Sequence, residues 1–248
     1  MRSEEGEHTD QRVLRFLKNK VKRIILITHP LPEFRHPYSY CSVYEDGKKI
    51  RELKVISLNT PQTIQYLAHF LLLYYFLIRT RFSFDTCIAM DNLSFVSIYP
   101  LRFLGKIKRL VYYSLDFVPN RFPNSLLNQL YHFMDKLACR YSDINWFVVK
   151  QQITFRKKFS IKAKNSAPFC IVPTGHDIKN INIRSMDKIN FYNIIYTGGF
   201  RKETGIQLII ATMPLLIKMF PKIKLTVTGT GSQTDQLKKT ISELKIEK

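Results

Sequence analysis

Acidic residues are scarce in this chain of 248 residues. Lysine and arginine number 39 against 19 aspartate and glutamate, so the formal net charge at pH 7 is +20. A surplus of this size attracts polyanions, which include nucleic acid, anionic lipid head groups and phosphorylated substrates. Composition alone does not choose among these classes. The basic residues are spread along the chain and form no recognisable nucleic-acid-binding module, so we expect no nucleic-acid partner.

Cysteine pairs with metal-ligand spacing are also absent. The four cysteines lie far apart and no CxxC occurs, so we expect no zinc site. Cys87 and Cys170 fall within predicted buried strands, where a free thiol behaves as a small hydrophobe. The chain begins with charged residues and shows no secretory signal. These features indicate a reducing compartment, the cytoplasm. The cysteines are Cys41, Cys87, Cys139 and Cys170.

No apolar run has the length of a membrane span. The longest, Ile64–Ile78, contains Gln65 and His69 and falls short of the roughly 20 residues that a spanning helix needs. A buried helix is one interpretation of this run. The other is a peripheral contact with an anionic membrane, because Arg79 and Arg81 follow directly and a basic flank suits anionic lipid.

Several catalytic motifs are missing. The sequence has no GxSxG element, no P-loop and no HExxH, so the corresponding hydrolase, kinase and metalloprotease readings have no basis. His29, His36 and His176 are candidates for proton transfer or metal binding. None of them has a partner at helical spacing, and a lone histidine is more often a structural residue. We therefore expect no metal.

Segments of strand and helix character alternate along the chain. This alternation predicts an α/β fold with mostly parallel sheets. The first strand is a continuous apolar run typical of a strand buried on both faces, and a long loop is expected after it. The predicted strands are Val21–Thr28, Lys54–Leu58, Asp85–Met90, Lys108–Leu115, Ile144–Val149 and Phe169–Pro173; the predicted helices are Pro61–Thr80, Leu93–Leu104, Leu126–Tyr141 and Lys150–Phe159; the loop is His29–Lys49.

One βαβ unit with glycine turns stands out near the end of the chain. A short strand, Ile194–Thr197, leads into Gly198 and Gly199, and a helix with apolar residues at helical spacing begins at Ile206. A second strand ends in Gly229-Thr230-Gly231. Glycines at the carboxyl ends of neighbouring parallel strands allow close approach of a ligand, and helix N-termini bind phosphate. The alternative is that these glycines only make tight turns.

Three aspartates follow the ends of predicted strands. They are Asp91, Asp116 and Asp177. In an open parallel sheet these ends face one crevice, where carboxylates can converge on a ligand. The alternative for each is helix capping or turn closure. Asp116 is the best functional candidate, because Pro119 and Arg121 build a stiff basic loop beside it.

Three segments together resemble the retaining glycosyltransferases of family 4. Ile171–Asp177 is similar to the family's V-P-N-G-V-D segment. Ile195–Phe200 with Thr204-Gly205 is similar to its Y-V-G-R-L … K-G segment, and Leu225–Gly231 to its L-x-I-V-G-x-G segment. The resemblance implies a GT-B type fold, with two Rossmann-like domains. It implies an N-terminal extension over 1–20, an acceptor-side domain over 21–180 and a nucleotide-sugar domain over 191–248.

The sequence departs from the family pattern at several positions. The family's arginine and lysine that hold the donor pyrophosphate correspond to Gly199 and Thr204 here, and Arg201 and Lys202 are candidates to replace them. The family's H-D element appears as Leu115-Asp116. The acidic E-x₇-E motif would lie beyond Lys248. We therefore expect an incomplete second sheet with an exposed edge, in a truncated reading frame or one half of a split gene.

The resemblance implies transfer of a hexose from a nucleoside diphosphate sugar to an acceptor hydroxyl with retention. The partners implied are the nucleotide sugar and a glycan or lipid-linked acceptor, with no metal and no cofactor besides the donor. Asp116 is the catalytic candidate on the acceptor side. Two alternatives stay open: an inactive fragment or interaction protein, and a nucleotide-sugar epimerase of the same fold. The candidates for binding the diphosphate are Gly198, Gly199, Arg201, Lys202, Gly229 and Gly231.

Overall fold

The computed structural model describes residues 9–30, 38–56, 62–80, 83–122, 124–159, 161–175 and 185–247. The chain divides into two compact units, Met1–His176 and Asp177–Lys248. Of the sequence predictions above, those for His36, His176 and Asp177 lie outside the described residues. The first residue of the helix predicted over Pro61–Thr80 lies outside them as well.

The first unit begins with a helix and an antiparallel sheet. In this sheet the middle strand pairs with both of its neighbours in antiparallel register. The first strand was expected to be buried on both faces, but none of its residues is fully buried. The elements are α1 (Thr9–Leu17), β1 (Arg23–Thr28), β2 (Tyr38–Glu45) and β3 (Lys48–Ile56).

The expected long loop His29–Lys49 is largely a strand and a tight hairpin. Asp46 and Gly47 form the two-residue turn between β2 and β3, with φ of 46° and 77°. Asp-Gly suits this turn because both central residues need positive φ. A Cβ atom on Gly47 would also meet the side-chain oxygen of Asn19 at 2.8 Å. The hairpin signal was present in the sequence, but a segment with three prolines and several aromatic residues was interpreted as a loop.

The rest of the first unit is a four-stranded parallel sheet with helices. Its strand order follows the chain, β4-β5-β6-β7. Pro100 divides the single helix predicted over Leu93–Leu104 into two, since proline lacks the backbone N–H that a continuous helix needs. The elements are α2 (Gln62–Thr80), β4 (Phe84–Ala89), α3 (Asn92–Ile98), α4 (Pro100–Phe103), β5 (Ile107–Ser114), α5 (Ser125–Tyr141), β6 (Ile144–Phe147), α6 (Gln151–Lys157) and β7 (Phe169–Ile171).

The core of this unit packs the helices against the central strand β5. Phe95 of α3, Leu110 of β5 and Ala138 of α5 are completely buried in one cluster. Cys170 was expected in a buried strand, but it is exposed because β7 is a short edge strand. Cys87 is half-buried in β4. Among the described helices, none is both long and apolar enough to cross a membrane.

The second unit is the predicted βαβ unit followed by one more helix. Strands β8 and β9 are parallel and in register from Asn193 opposite Lys224 to Thr197 opposite Thr228. Residues along both strands alternate between half-buried and exposed, so helices cover one face of this sheet. The elements are β8 (Asn193–Thr197), α7 (Ile206–Met219), β9 (Lys224–Thr228) and α8 (Thr234–Glu243).

Candidate functional site

The two glycine turns of the second unit form one hydrogen-bonded block. The amide of Gly198 donates to the carbonyl of Thr228 over 3.1 Å, and that of Phe200 donates to the carbonyl of Thr230 over 2.9 Å. The carbonyl of Phe200 then accepts from the amide of Gln233, also over 2.9 Å. These bonds continue the pairing of β8 and β9 beyond the strand ends. The turns are therefore held in a fixed relation at the carboxyl end of the sheet.

Gly229 and Gly231 are required by the packing of this block. A Cβ atom on Gly229, whose φ is 155°, would overlap the carbonyl oxygen of Gly198. A Cβ atom on Gly231 would lie 2.5 Å from the carbonyl oxygen of Phe200. Both neighbours are backbone atoms that cannot move aside easily. The contact of loop with loop thus explains these two glycines without a ligand.

Gly199 is different because a Cβ atom would fit there without a clash. The nearest atom to a Cβ atom placed there is the guanidinium Nε of Arg201, at 3.6 Å, and Gly199 is exposed. The structure therefore places Arg201 beside the first glycine turn. Lys202 is exposed as well and starts a short 3₁₀ turn that leads to Gly205 and helix α7. An exposed backbone turn with an adjacent cation is suited to an anionic ligand.

A large open cavity of about 2520 Å³ lies in the first unit. Strand β1, helix α2 and strand β4 supply much of its apolar wall. Its polar lining includes His29 after β1, Asp91 after β4 and Asp116 after β5, together with His69 of α2. Asp91 and Asp116 thus line one cavity, at the carboxyl ends of parallel strands, where ligands bind in open α/β sheets.

Asp91 has a structural role at this cavity. Its carboxylate accepts bonds of 2.7 Å from both the amide and the hydroxyl of Ser94. These bonds cap the first turn of α3, whose early N–H groups have no partner within the helix. The capping alternative therefore accounts for Asp91.

Two histidine rings stack at the cavity wall. The rings of His29 and His69 lie 4.5 Å apart and 14° from parallel, and Nδ1 of His29 lies 2.9 Å from the hydroxyl of Ser39. Burial and the neighbouring His69 lower the pKa of His29 to about 3. Burial also lowers the pKa of His69, although the charge of Asp91 opposes the change. Both rings are therefore neutral at pH 7. Sequence reasoning noted His69 only as a polar interruption of a helix.

Asp116 is exposed at the mouth of this site. Its side chain is 69% exposed and its Oδ2 lies 3.6 Å from the guanidinium of Arg121. Its carbonyl oxygen accepts a bond of 2.8 Å from the hydroxyl of Ser114, the last residue of β5. The carboxylate is consequently accessible to solvent beside Arg121, while its backbone is anchored.

The residues that anchor this loop were missed from the sequence. Gln152 and Arg156 are buried, although they belong to a helix of basic composition. Their spacing of four residues on one helix face was the only available signal.

In the part of the chain that the structure describes, no group of three or more histidine, cysteine or acidic side chains has the geometry of a metal site.

Comparisons with known proteins rest on structure alone. No protein-family model matches the sequence, and no curated protein matches it. Three crystal structures resemble the fold at low identity. The pneumococcal O-GlcNAc transferase GtfA, in complex with UDP and GlcNAc, aligns with a TM-score of 0.51 at 11% identity, over 89% of this chain and 56% of that one.

Two further structures align over large parts of this chain. A mutant of S. aureus TarM in complex with Fondaparinux, alpha-GlcNAc-glycerol and UDP gives a TM-score of 0.49 at 10% identity, over 98% of this chain and 60% of that one. The GtfA/B complex gives 0.43 at 16% identity, over 82% and 39%. The chain thus spans between 39% and 60% of the length of these three proteins. The predicted fold class, α/β with parallel sheets of the GT-B glycosyltransferase type, is confirmed.

Proposed function

We propose that this chain belongs to a glycosyltransferase and binds a nucleoside diphosphate sugar through its second unit. The observation that carries the proposal is the glycine block of β8 and β9, in which the exposed turn at Gly199 lies beside Arg201. The fold is similar to that of an O-GlcNAc transferase solved with UDP. A diphosphate leaving group is stabilised by positive charge, and Arg201 and Lys202 carry that charge beside this turn.

The proposed roles differ among the six donor-site residues. Gly198 and Gly199 form the exposed turn against which the diphosphate lies. Arg201 and Lys202 neutralise its charge in place of the two cations that the family carries elsewhere. Gly229 and Gly231 act indirectly, since they hold the second turn against the first. The donor hexose is transferred with retention, and no metal takes part in this proposal.

The acceptor side of the proposal is the cavity of the first unit. Asp116 accepts a hydrogen bond from the acceptor hydroxyl and so orients it. The neutral rings of His29 and His69 line the same cavity. The large apolar wall suits a lipid-linked or cell-envelope glycan better than a free sugar.

Calorimetric titration with UDP, GDP and ADP tests the donor site. We expect saturable binding of one nucleotide, and at least a tenfold loss of affinity in the double variant Arg201→Ala with Lys202→Ala. The matched control is Lys218→Ala with Lys222→Ala, which removes the same charge. Lys218 lies near the end of α7, about 18 Å along the helix from its start.

Equal losses of nucleotide affinity in the two double variants would show that net charge alone causes the loss. The assignment of the site to Arg201 and Lys202 would then be wrong. No binding of any nucleotide by a folded sample would favour the inactive fragment or interaction protein. An epimerase would bind nucleotide and interconvert a nucleotide sugar without any acceptor, which chromatography of the incubated sugar nucleotide detects.

We also propose that helix α2 makes a peripheral contact with an anionic membrane on its cytoplasmic face. The side chains at Ile64, Leu67, Leu71, Tyr75 and Ile78 form one exposed stripe with exposures between 44% and 71%. Helix α2 carries no acidic residue, and the whole chain has a net charge of +20. An exposed apolar stripe on a basic protein is the pattern of an interfacial helix.

Sedimentation with lipid vesicles tests this contact. We expect binding to vesicles that contain phosphatidylglycerol, weaker binding to phosphatidylcholine alone, and loss of binding in Leu67→Gln with Leu71→Gln. The control is Leu208→Gln with Leu215→Gln, because these leucines of α7 are also exposed, at 69% and 59%. Unchanged binding in the α2 variant would exclude the stripe as the contact.

A further inference from the structure

A buried ion pair lies beneath the loop that carries Asp116. Arg156 of α6 is 2% exposed and Asp135 of α5 is completely buried. The guanidinium donates from Nε to Oδ2 over 2.9 Å and from Nη2 to Oδ1 over 3.0 Å. The hydroxyl of Tyr112 donates a further bond of 2.5 Å to the same carboxylate. The pair therefore has a defined bidentate geometry with an additional donor.

The ion pair is connected to the loop after β5 through Ser114. Nη2 of Arg156 donates to the Ser114 hydroxyl over 2.6 Å, and this hydroxyl donates to the carbonyl of Asp116 over 2.8 Å. Gln152, one turn before Arg156 on α6, donates to the carbonyl of Leu115 over 3.1 Å. Two consecutive carbonyl groups of the loop are thus held from below.

The guanidinium of Arg156 also lies between two aromatic rings. Its central carbon is 4.8 Å from the ring centre of Phe117 and 4.5 Å from that of Phe147. Phe147 belongs to β6, whereas Phe117 follows Asp116 in the loop. The residues on both sides of Asp116 are therefore fixed, one by a hydrogen bond and the other by a cation–π contact.

Electrostatics keeps this arginine charged. Burial would lower the pKa of Arg156, but the charge and hydrogen bonding of Asp135, together with Tyr112 and Cys139, outweigh burial and raise the pKa. A buried ion pair contributes little net stability compared with apolar residues of the same volume. Its orientation of neighbouring groups is what apolar residues cannot supply, and the groups that it orients here lead to Asp116.

We propose that Arg156, acting through Ser114, and Gln152 are positioning residues that set the location of Asp116 for the acceptor. The role in the reaction rests on the proposed glycosyltransferase function, whereas the anchoring of the loop does not. Arg156 and Gln152 do not line the cavity; each acts through the backbone of residues 115 and 116. One measurement tests the anchoring of the loop, and a second measurement tests its role in the reaction.

The first readout is cleavage by trypsin after Arg121, followed by mass spectrometry. Ser114→Ala breaks the link between Arg156 and Asp116 but leaves the ion pair intact, and Gln152→Ala removes the second anchor. Loss of one hydrogen bond of ordinary strength should raise the rate of this cleavage about five-fold. The control is Ser142→Ala, since Ser142 is also buried and hydrogen-bonded but precedes β6, at the opposite end of the sheet.

The second readout is turnover of UDP-glucose, GDP-glucose or ADP-glucose, whichever the chain binds, with water as acceptor. Both loop variants should lower kcat by about 10- to 100-fold, as expected for a displaced orienting group, with the KM for the donor unchanged. Ser114→Thr restores the hydroxyl and should recover most of the loss. The control Ser142→Ala should match the unmodified protein.

The outcomes are distinct. Faster cleavage after Arg121 together with a lower kcat and a constant KM supports the proposal. Cleavage at the rate of the Ser142→Ala control overturns the anchoring, and faster cleavage with unchanged kcat overturns the role in the reaction. If the unmodified chain turns over no sugar nucleotide but the loop variants are cleaved faster, the glycosyltransferase function fails while the anchoring stands.

Discussion

The buried ion pair gives the sharpest prediction for stability. Arg156→Met removes the guanidinium and leaves the carboxylate of Asp135 completely buried, with only the Tyr112 hydroxyl as a hydrogen-bond donor from the network. An uncompensated buried charge of this kind lowers the free energy of unfolding by about 3–5 kcal/mol. The bidentate geometry and the 2% exposure of Arg156 place the expected value in the upper part of that range.

Removing both charges should reverse most of this loss. In Arg156→Met with Asp135→Leu no buried charge is left, so the remaining deficit comes from the Tyr112 hydroxyl, which then has no acceptor within the network. A buried hydroxyl without a partner lowers stability by about 1–3 kcal/mol. Adding Tyr112→Phe removes that group too. The triple variant should therefore be more stable than the single variant.

Urea unfolding followed by the fluorescence of Trp146 measures these changes. Trp146 is the only tryptophan of the chain and lies in β6 of the first unit, so it reports that unit. Arg102→Met is the matched control, because Arg102 also binds Asp143 through two bonds of 2.8 Å but with both side chains about one third exposed. The control should lose less than about 1 kcal/mol. Equal losses for Arg156→Met and Arg102→Met would refute the argument from burial.

Three further predictions concern other parts of the molecule. The pKa of His29 is lowered from 6.5 to about 3, so between these pH values the unfolded chain binds a proton that the folded chain does not. As the pH falls below 6.5, His29 should lower the free energy of unfolding by at most about 1.4 kcal/mol per pH unit. In His29→Asn, the free energy of unfolding measured in urea should depend less on pH. Gly229→Ala should destabilise the second unit by about 2 kcal/mol or more, whereas Gly199→Ala should fold normally, as scanning calorimetry would register. Asp91→Ala should lower the stability of the first unit by about 1 kcal/mol in urea, and Asp91→Asn by less, because asparagine also caps helices.

Much of the fold follows from the sequence because its signals are local. Apolar runs and helical spacing located β4 to β9 and the major helices, and the glycine turns marked the βαβ unit. The hairpin of β2 and β3 was the main error. Its Asp46-Gly47 turn is a local signal, but the surrounding segment contains three prolines and was interpreted as a loop.

The candidate site was only partly readable from sequence. Asp116 was chosen because it follows a strand, and Arg201 because it lies in the first glycine turn. The roles of both residues stay predictions. All the glycines of the two turns were predicted to bind the diphosphate. Only the structure separates Gly229, where a Cβ atom would overlap backbone atoms, from Gly199, where a Cβ atom would fit. Sequence spacing carries no information on what a Cβ atom would meet.

The sequence by itself determined the α/β class, the order of the elements and the positive charge, because these depend on composition and on periodicity within each segment. Tertiary structure decided which charges are buried. Arg156 and Asp135 lie 21 positions apart in helices that each read as amphipathic or basic, and nothing local marks them as partners. The two side chains meet only when α5, α6 and β5 pack together, and the bond from Arg156 to Ser114 then fixes the position of Asp116. Burial strengthens the attraction between the two charges, which water would otherwise screen.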